Sequence, residues 1–171
     1  MLISDQYREQ NALLHEKCRK FGSNGWKGIK HAADLAIKYG GSTVLDYGSG
    51  KGTLKEKAPT IAPFLTVYQY EPAMGIDERR PCDVVICRDV LEHIEPECLD
   101  DVLLDLRRLT LRAAHLLIAT KASNDILPDG RNAHLIIQPR SWWAAKLAGH
   151  FNIIKSSPDE KANAWFEVTP K

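Results

Sequence analysis

The stretch Val44-Leu45-Asp46-Tyr47-Gly48-Ser49-Gly50-Lys51-Gly52 decides how this chain is interpreted. An apolar run ends in an acidic residue, and three glycines then fall on alternate positions. Apolar residues bounded by glycine predict a buried strand that enters a tight turn. Glycine is used where φ must be positive or where a ligand approaches the backbone closely. A helix opening at Leu54 would then point its free N–H groups toward a carboxylate or phosphate.

Size and charge set the class of protein. A chain of 171 residues with 44% apolar and 26% charged residues is expected to form one globular domain. The net charge of +1 gives no basic excess of the kind that tight binding to duplex nucleic acid requires. The four cysteines match no zinc or redox spacing, and no apolar run reaches the length of a membrane span. We expect a cytoplasmic protein that does not bind membranes.

Strands and helices alternate along the chain. The first helix is predicted over 5–21, with Tyr7, Leu14, Cys18 and Phe21 on its apolar face. Further helices are predicted over 26–39, from Pro96, and over 139–149. After the strand before the glycines, strands are predicted over 64–70, 83–87, 115–120, 151–154 and 165–168. This order predicts an α/β fold of three layers, with a mostly parallel sheet and an antiparallel hairpin at the C-terminus.

The Asp-x-Gly-x-Gly-x-Gly spacing differs from the Gly-x-Gly-x-x-Gly of nicotinamide binders. It resembles the first motif of the class I S-adenosylmethionine-dependent methyltransferases, and the resemblance covers residues 40–120. It implies a Rossmann-like core over 40–171, and we expect residues 1–39 to form a helical lid over that core, within one domain of residues 1–171. It also implies that S-adenosylmethionine is the cofactor, that Asp46 orients its amino group, and that its methionine portion packs on the turn of Gly48, Ser49, Gly50 and Gly52.

Glu71 ends the next predicted strand, where the cofactor's ribose needs a hydrogen-bond acceptor. The alternative is a solvated acid before a proline turn. Pro72, Ala73 or Met74 would then pack near the adenine. Only eleven residues separate Glu71 from Asp83, too few for the helix and third strand that family members carry there. We therefore expect that helix and strand to be shortened or absent.

Arg88-Asp89-Val90-Leu91-Glu92-His93-Ile94 follows the strand over 83–87. If this segment is helical, Asp89, Glu92 and His93 share one face, and such a face acts in acid–base chemistry or holds a divalent ion. The segment resembles ubiquinone-pathway O-methyltransferases and RNA 3′-terminal 2′-O-methyltransferases, some of which bind magnesium or manganese through Glu-x-x-Glu-His. The alternative is that Glu92 and His93 only order the loop. We predict Asp89 and His93 as catalytic residues, Asp89 also as a cofactor contact, and no resident metal.

A second polar cluster, over 127–135, follows the strand over 115–120. His134 stands where the chain turns inward, since Leu135, Ile136 and Ile137 follow it. We predict His134 as the general base that deprotonates the methyl acceptor. A histidine satisfied by local backbone bonds is the alternative. Arg131 either binds an anionic substrate group or pairs with Asp129.

Three functions fit these motifs. The first is methyl transfer to a small-molecule, metabolite or glycan acceptor. The second is metal-assisted 2′-O-methylation of RNA or a nucleotide. The third is a cofactor-binding subunit or sensor without catalysis. The identity of the acceptor and the oligomeric state are not encoded in any of these motifs.

Overall fold

The structure is a computed structural model, and it describes residues 1–158 and 163–171. The strands within these residues are β1 Thr43–Tyr47, β2 Thr66–Glu71, β3 Ile76–Asp77, β4 Cys82–Arg88, β5 Thr110–Ala119, β6 Phe151–Ser156 and β7 Asn163–Pro170. The α-helices are α1 Asp5–Lys17, α2 Ile29–Tyr39, α3 Thr53–Ile61, α4 Leu99–Leu109 and α5 Arg140–Ala148.

The strands form one sheet in the order β3-β2-β1-β4-β5-β7-β6. β1 lies between β2 and β4 and is parallel to both, and β4 is parallel to β5. β7 runs antiparallel to both β5 and β6. The predicted mostly parallel sheet with an antiparallel C-terminal hairpin is therefore confirmed.

Helices cover both faces of the sheet and make three layers. On one face, Ile29 and Leu35 of α2 and Leu54 of α3 pack against Val84 and Ile86 of β4. On the other face, Leu103 of α4 and Trp143 of α5 are fully buried in the larger core cluster. Successive side chains of β4 point to opposite sides of the sheet, and helices cover both sides, so both faces of the strand are buried. This explains the nearly continuous apolar run of the strand.

The edge beyond β2 is reduced, as the short spacing after Glu71 predicts. A 3-10 turn over Pro72–Met74 stands in place of a helix. β3 has two residues, and they pair antiparallel with the end of β2. The trimmed edge leaves the end of β2 open to the cavity described below.

The N-terminal region differs in detail from the sequence prediction. The first helix ends at Lys17, so Cys18 and Phe21 lie in the connection that follows it. The second begins as a 3-10 turn over Gly25–Gly28 and ends at Gly40, whose φ of 76° stops the helix as predicted. In the described part of the chain, no helix is long and apolar enough to cross a membrane.

Candidate functional site

A cavity of about 710 Å³ lies at the carboxyl ends of β1, β2, β4 and β5. Asp46, Glu71 and Asp89 line it from three neighbouring strands. Residues of α1 and of the connection after it, among them Tyr7 and Gly22, line the opposite side. The cavity thus occupies the edge of the sheet where ligands bind in open α/β folds. Its volume is in the range of small-molecule sites.

The three glycines of the motif have positive φ, at 77° for Gly48, 53° for Gly50 and 69° for Gly52. At Gly48 and Gly50 a side chain would also clash with its neighbours, whereas at Gly52 it would meet only the end of the Gln69 side chain. A Cβ atom at Gly48 would lie 2.3 Å from a methyl group of Val90, and one at Gly52 would lie 2.6 Å from Nε2 of Gln69. Backbone conformation therefore favours glycine at all three positions, and packing within the protein adds to this at Gly48 and Gly50.

The N-terminal connection lies directly on this turn. A Cβ atom at Gly50 would lie 2.5 Å from the carbonyl oxygen of Gly22. That same carbonyl accepts a hydrogen bond of 2.9 Å from the N–H of Lys51. Nζ of Lys51 donates to the carbonyl oxygen of His15 at 3.0 Å, and the hydroxyl of Thr53 donates to Ser23 at 3.2 Å. Residues before the motif thus form one wall of the cavity.

Glu71 is buried, with 8% of its surface exposed, and it faces the same turn. Its Oε2 accepts from the N–H of Gly50 at 2.9 Å, and its Oε1 accepts from the N–H of Ala73 at 3.2 Å. Burial raises the pKa of Glu71, and these two N–H groups oppose the rise. Each carboxylate oxygen has further acceptor capacity, so Glu71 can also accept from a ligand hydroxyl. It is not a solvated acid.

Asp46 is even more deeply buried, at 3% exposed. Burial, followed by the negative charge of Glu71, raises the pKa of Asp46 to about 7. Its Oδ2 and the hydroxyl of Ser49 have no hydrogen-bond partner among the described residues. Because leaving a buried polar group unpaired costs about 1–3 kcal/mol, these two atoms indicate a ligand that donates hydrogen bonds.

The end of β2 continues into Pro72 and Ala73, which both line the cavity. Met74 is 49% exposed, so it is neither a core residue nor part of the cavity wall. Only the first two of the three residues proposed to pack near an adenine are therefore positioned for that contact.

The proposal that Asp89, Glu92 and His93 share a helical face is wrong. Among the described residues, Asp89 is the one non-glycine residue with positive φ, at 55°, and this conformation interrupts a right-handed helix. Only a 3-10 turn over Leu91–His93 follows. Asp89 lines the cavity, whereas Glu92 turns inward, is fully buried and accepts from the N–H of Ala119 at 2.9 Å. The two carboxylates therefore do not form one ligand set.

His93 and His134 lie close together, with ring centroids 4.8 Å apart and nearly perpendicular planes. Nδ1 of His93 is 2.8 Å from the carbonyl oxygen of Ala133, and Nδ1 of His134 is 2.6 Å from that of Lys121. A carbonyl only accepts, so Nδ1 is the donor in each ring and Nε2 does not take part in these bonds. Burial, followed by the neighbouring His134, lowers the pKa of His93 to about 4. Each histidine therefore has a local backbone bond and keeps its Nε2 for another partner.

Glu92, His93 and His134 form a group whose potential ligand atoms all lie within 4.8 Å of one another. Oε2 of Glu92 has no hydrogen-bond partner among the described residues. One carboxylate oxygen and two imidazole nitrogens are suitable ligands for a transition-metal ion. This set replaces the predicted candidates by exchanging Asp89 for His134, which is distant in sequence.

Sequence reasoning missed two rings in the cavity wall. His15 and Phe21 line it, and Phe21 lies edge-on to both His15 and His93, at 4.8 and 5.6 Å between centroids. In the sequence, Phe21 is interpretable only as part of an apolar helical stripe, and nothing in it marks His15. Arg131 forms an ion pair with Asp129 at 2.7 Å, which is the simpler of its two predicted roles.

A sheet in this order, with acidic residues at the ends of adjacent strands beside a glycine turn, defines a Rossmann-like α/β fold with a ligand site at the carboxyl ends of its strands. The chain belongs to the methyltransferase domain family, whose model matches residues 12–160. No curated protein sequence matches the chain.

Solved structures agree with this fold. The 1,6-didemethyltoxoflavin-N1-methyltransferase of Burkholderia thailandensis, with bound 1,6-didemethyltoxoflavin and S-adenosylhomocysteine, is 14% identical, with a TM-score of 0.64 over 96% of this chain and 87% of that one. Magnesium protoporphyrin IX methyltransferase from Synechocystis PCC 6803, with bound SAH, is 20% identical, with a TM-score of 0.57 over 85% and 83%. The mitomycin 7-O-methyltransferase MmcR is 18% identical, with a TM-score of 0.54, and the match covers 84% of this chain but about half, 54%, of that one.

Proposed function

We propose that the chain is an S-adenosylmethionine-dependent methyltransferase that methylates a small-molecule acceptor, such as a metabolite or glycan. One observation carries this proposal: Asp46 and Glu71 end adjacent strands on either side of a glycine turn, and Oδ2 of Asp46 is buried without a partner. An ammonium group and a ribose diol are donors that match these two carboxylates. The residues present therefore fit the cofactor.

The roles on the cofactor side follow from position. Asp46 accepts from the amino group, and the turn of Gly48, Ser49, Gly50 and Gly52 lies under the methionine portion. Glu71 accepts from the ribose while retaining its bonds to Gly50 and Ala73. Pro72 lies beside the adenine. Asp89 directly follows strand β4, lines the same cavity and contacts the cofactor from that side.

On the acceptor side, the bound cofactor supplies an activated methyl group on a sulfonium, so the protein mainly has to align the nucleophile and exclude water. Nε2 of His134 takes the proton of the acceptor's hydroxyl or amine. The ring of His93 packs edge-on against the ring of His134, and Asp89 is an exposed carboxylate of the same cavity. These are the three groups that we propose as catalytic.

The walls of the cavity favour a small acceptor. Residues 1–39 act as a lid on the core formed by residues 40–171, since Tyr7, Asn11 and His15 enclose the cavity opposite the strands. The net charge of +1 gives no general attraction to a polyanion.

Calorimetric titration with S-adenosylmethionine and S-adenosylhomocysteine tests this proposal. We expect Glu71→Gln to weaken binding by ~10-fold or more, because hydrogen bonds to a charged group contribute about 1.5–3 kcal/mol. Glu56→Gln, an exposed acid on α3, is the matched control and should bind as the wild type does. If the wild type fails to bind either compound, the proposed function is wrong. If it binds but turns over no acceptor in a substrate panel, the non-catalytic subunit or sensor is favoured.

The second candidate function is metal-assisted 2′-O-methylation of RNA or a nucleotide. The observation that favours it is the group of Glu92, His93 and His134, with ligand atoms within 4.8 Å of one another. Titration of the protein with Mn²⁺, followed by activity on a ribose 2′-hydroxyl with and without chelator, distinguishes the two candidates. Metal binding that His93→Ala abolishes would support the second, whereas activity unaffected by chelator would eliminate it.

A further inference from the structure

A second cavity, of about 500 Å³, lies between α2 and the face of the sheet formed by β5 and β7. His31 and Lys38 of α2, Arg88 at the end of β4, His115 of β5 and Trp165 of β7 line it. Arg88 is shared with the first cavity, so its side chain forms part of the wall between the two. None of the roles in the proposed methyl transfer uses the second cavity.

The guanidinium group of Arg88 is partly buried, yet it has few hydrogen-bond partners. Nε is buried and has no hydrogen-bond partner among the described residues. Nη1 lies 3.5 Å from Nε2 of His115, a long contact with a neutral acceptor. The aliphatic part of the Arg88 side chain packs closely against Gly28, since a Cβ atom built on Gly28 would lie 3.0 Å from Cδ of Arg88. The negative charges of Asp89 and Asp46 act on Arg88 from the side of the first cavity, but no carboxylate of the described residues forms an ion pair with it, so the guanidinium can pair with an anionic ligand in the second cavity.

The acids that line this cavity are already engaged elsewhere. Asp34 forms an ion pair with Lys30 at 3.2 Å. Glu167 accepts from the hydroxyl of Tyr39 at 2.8 Å and forms an ion pair with Lys38. Neither carboxylate pairs with Arg88 in the described structure. The second cavity therefore offers Arg88 no ion-pair partner of its own.

Flat rings lie beside the guanidinium. The imidazoles of His31 and His115 are stacked, with centroids 4.0 Å apart and planes inclined by 5°. The indole of Trp165 is nearly parallel to His115, at 6.3 Å and 21°. Burial lowers the pKa of both histidines, that of His115 to about 3, so at neutral pH both rings are uncharged. His115 itself is only 5% exposed, so the aromatic surface that the cavity presents belongs to His31 and Trp165, and it adds no positive charge.

We propose that this second cavity binds a planar aromatic carboxylate, with the carboxylate on Arg88 and the ring against Trp165. An inorganic anion would leave the ring faces unused, and a neutral ring would leave the guanidinium without a counter-charge. The bidentate geometry of a guanidinium suits a carboxylate, and a flat ring gains from offset or edge-on contact with an indole beyond the area that it buries.

Indole-2-carboxylate is a suitable probe, with indole and acetate as the ring-only and anion-only comparisons. We expect the carboxylate to bind ~10-fold or more tightly than either comparison. Arg88→Met keeps the apolar stem against Gly28 and removes the charge, and it should weaken binding by ~10-fold to ~100-fold. Trp165→Leu should also weaken it. Arg19→Met, which removes an exposed guanidinium, is the matched control and should leave binding unchanged.

The site of binding is read from the imidazole resonances of the intact protein. We expect the probe to shift those of His31 and His115 and to leave those of His93 and His134 in place. Circular dichroism establishes that each variant is folded, and Arg88→Lys serves if Arg88→Met does not fold, since a single ammonium cannot form the bidentate pair. No binding to the wild type at ~10 mM, equal binding by the folded Arg88 variant, or shifts only at His93 and His134 would each overturn the proposal.

Discussion

Replacing Glu92 by glutamine should make the protein's stability less dependent on pH. The side chain is fully buried, and burial raises the pKa of Glu92 to about 8, against an ordinary value of 4.5. The folded protein therefore holds a proton that the unfolded chain releases near its ordinary pKa. The stabilisation from Glu92 is fully present below about pH 4.5 and is lost as the pH rises toward 8.

The size of this effect follows from the same two values. The difference between 4.5 and about 8, at ~1.4 kcal/mol for each tenfold change in proton affinity, gives an upper limit of ~5 kcal/mol. Water penetration and local relaxation reduce this limit, so we expect about 2 kcal/mol or more. A glutamine resembles the protonated acid and keeps an oxygen that can accept from the N–H of Ala119.

The assay is urea unfolding followed by circular dichroism at intervals from pH 4.5 to 8, for the wild type and Glu92→Gln. Other groups titrate in this range, including Asp46 with its raised pKa, so only the difference between the two proteins reports Glu92. We expect the wild type to lose stability relative to the variant as the pH rises, while Glu56→Gln runs parallel to the wild type. Parallel curves for the wild type and Glu92→Gln would refute the reasoning, since Glu92 would then titrate as it does in the unfolded chain. Repeating the series with Mn²⁺ adds a test of the metal site, because a bound cation would favour the ionised carboxylate.

Three further predictions concern packing and chemistry. Gly50→Ala should lower the free energy of unfolding by ~3 kcal/mol or more in urea titrations, because its Cβ would lie 2.5 Å from a backbone oxygen. Gly75→Ala has a similar φ, 69°, and open space around it, so it should lose only ~1–2 kcal/mol, and an equal loss in both would contradict the role of the clash. His134→Ala should lower kcat by ~10²-fold to ~10⁴-fold while leaving the Kd for S-adenosylhomocysteine unchanged, which separates a base from a cofactor contact. Trp143→Ala should lower the free energy of unfolding by ~3–5 kcal/mol in thermal or urea titrations, because the indole is fully buried. A loss under ~1 kcal/mol would contradict its place in the core.

The sequence predicts best the features that local chemistry controls. The acid followed by alternate glycines predicts a strand and a turn because positive φ favours glycine wherever the chain folds. The eleven residues after Glu71 predict the trimmed third strand because a helix and a strand need more chain than that. The alternation of apolar strands with helices predicts the parallel sheet.

Helical periodicity fails at Asp89. The pattern of residues 88–94 suits a helix, yet Asp89 has left-handed backbone conformation and its N–H donates to Leu117 of β5 at 2.8 Å. The neighbouring strand sets that conformation, and a spacing rule contains no information about a neighbouring strand. Glu92 turns inward for the same reason, since its hydrogen-bond partner is Ala119 on β5.

What the sequence alone determined is the class of fold and the acids at its strand ends, because these depend on residues near one another in the chain. The tertiary structure decided which side chains meet. Gly22 packs against Gly50, His93 packs against His134, and Arg88 lies beside His115. Each of these contacts joins segments more than twenty residues apart, and only the packing of helices and loops on the sheet brings them together.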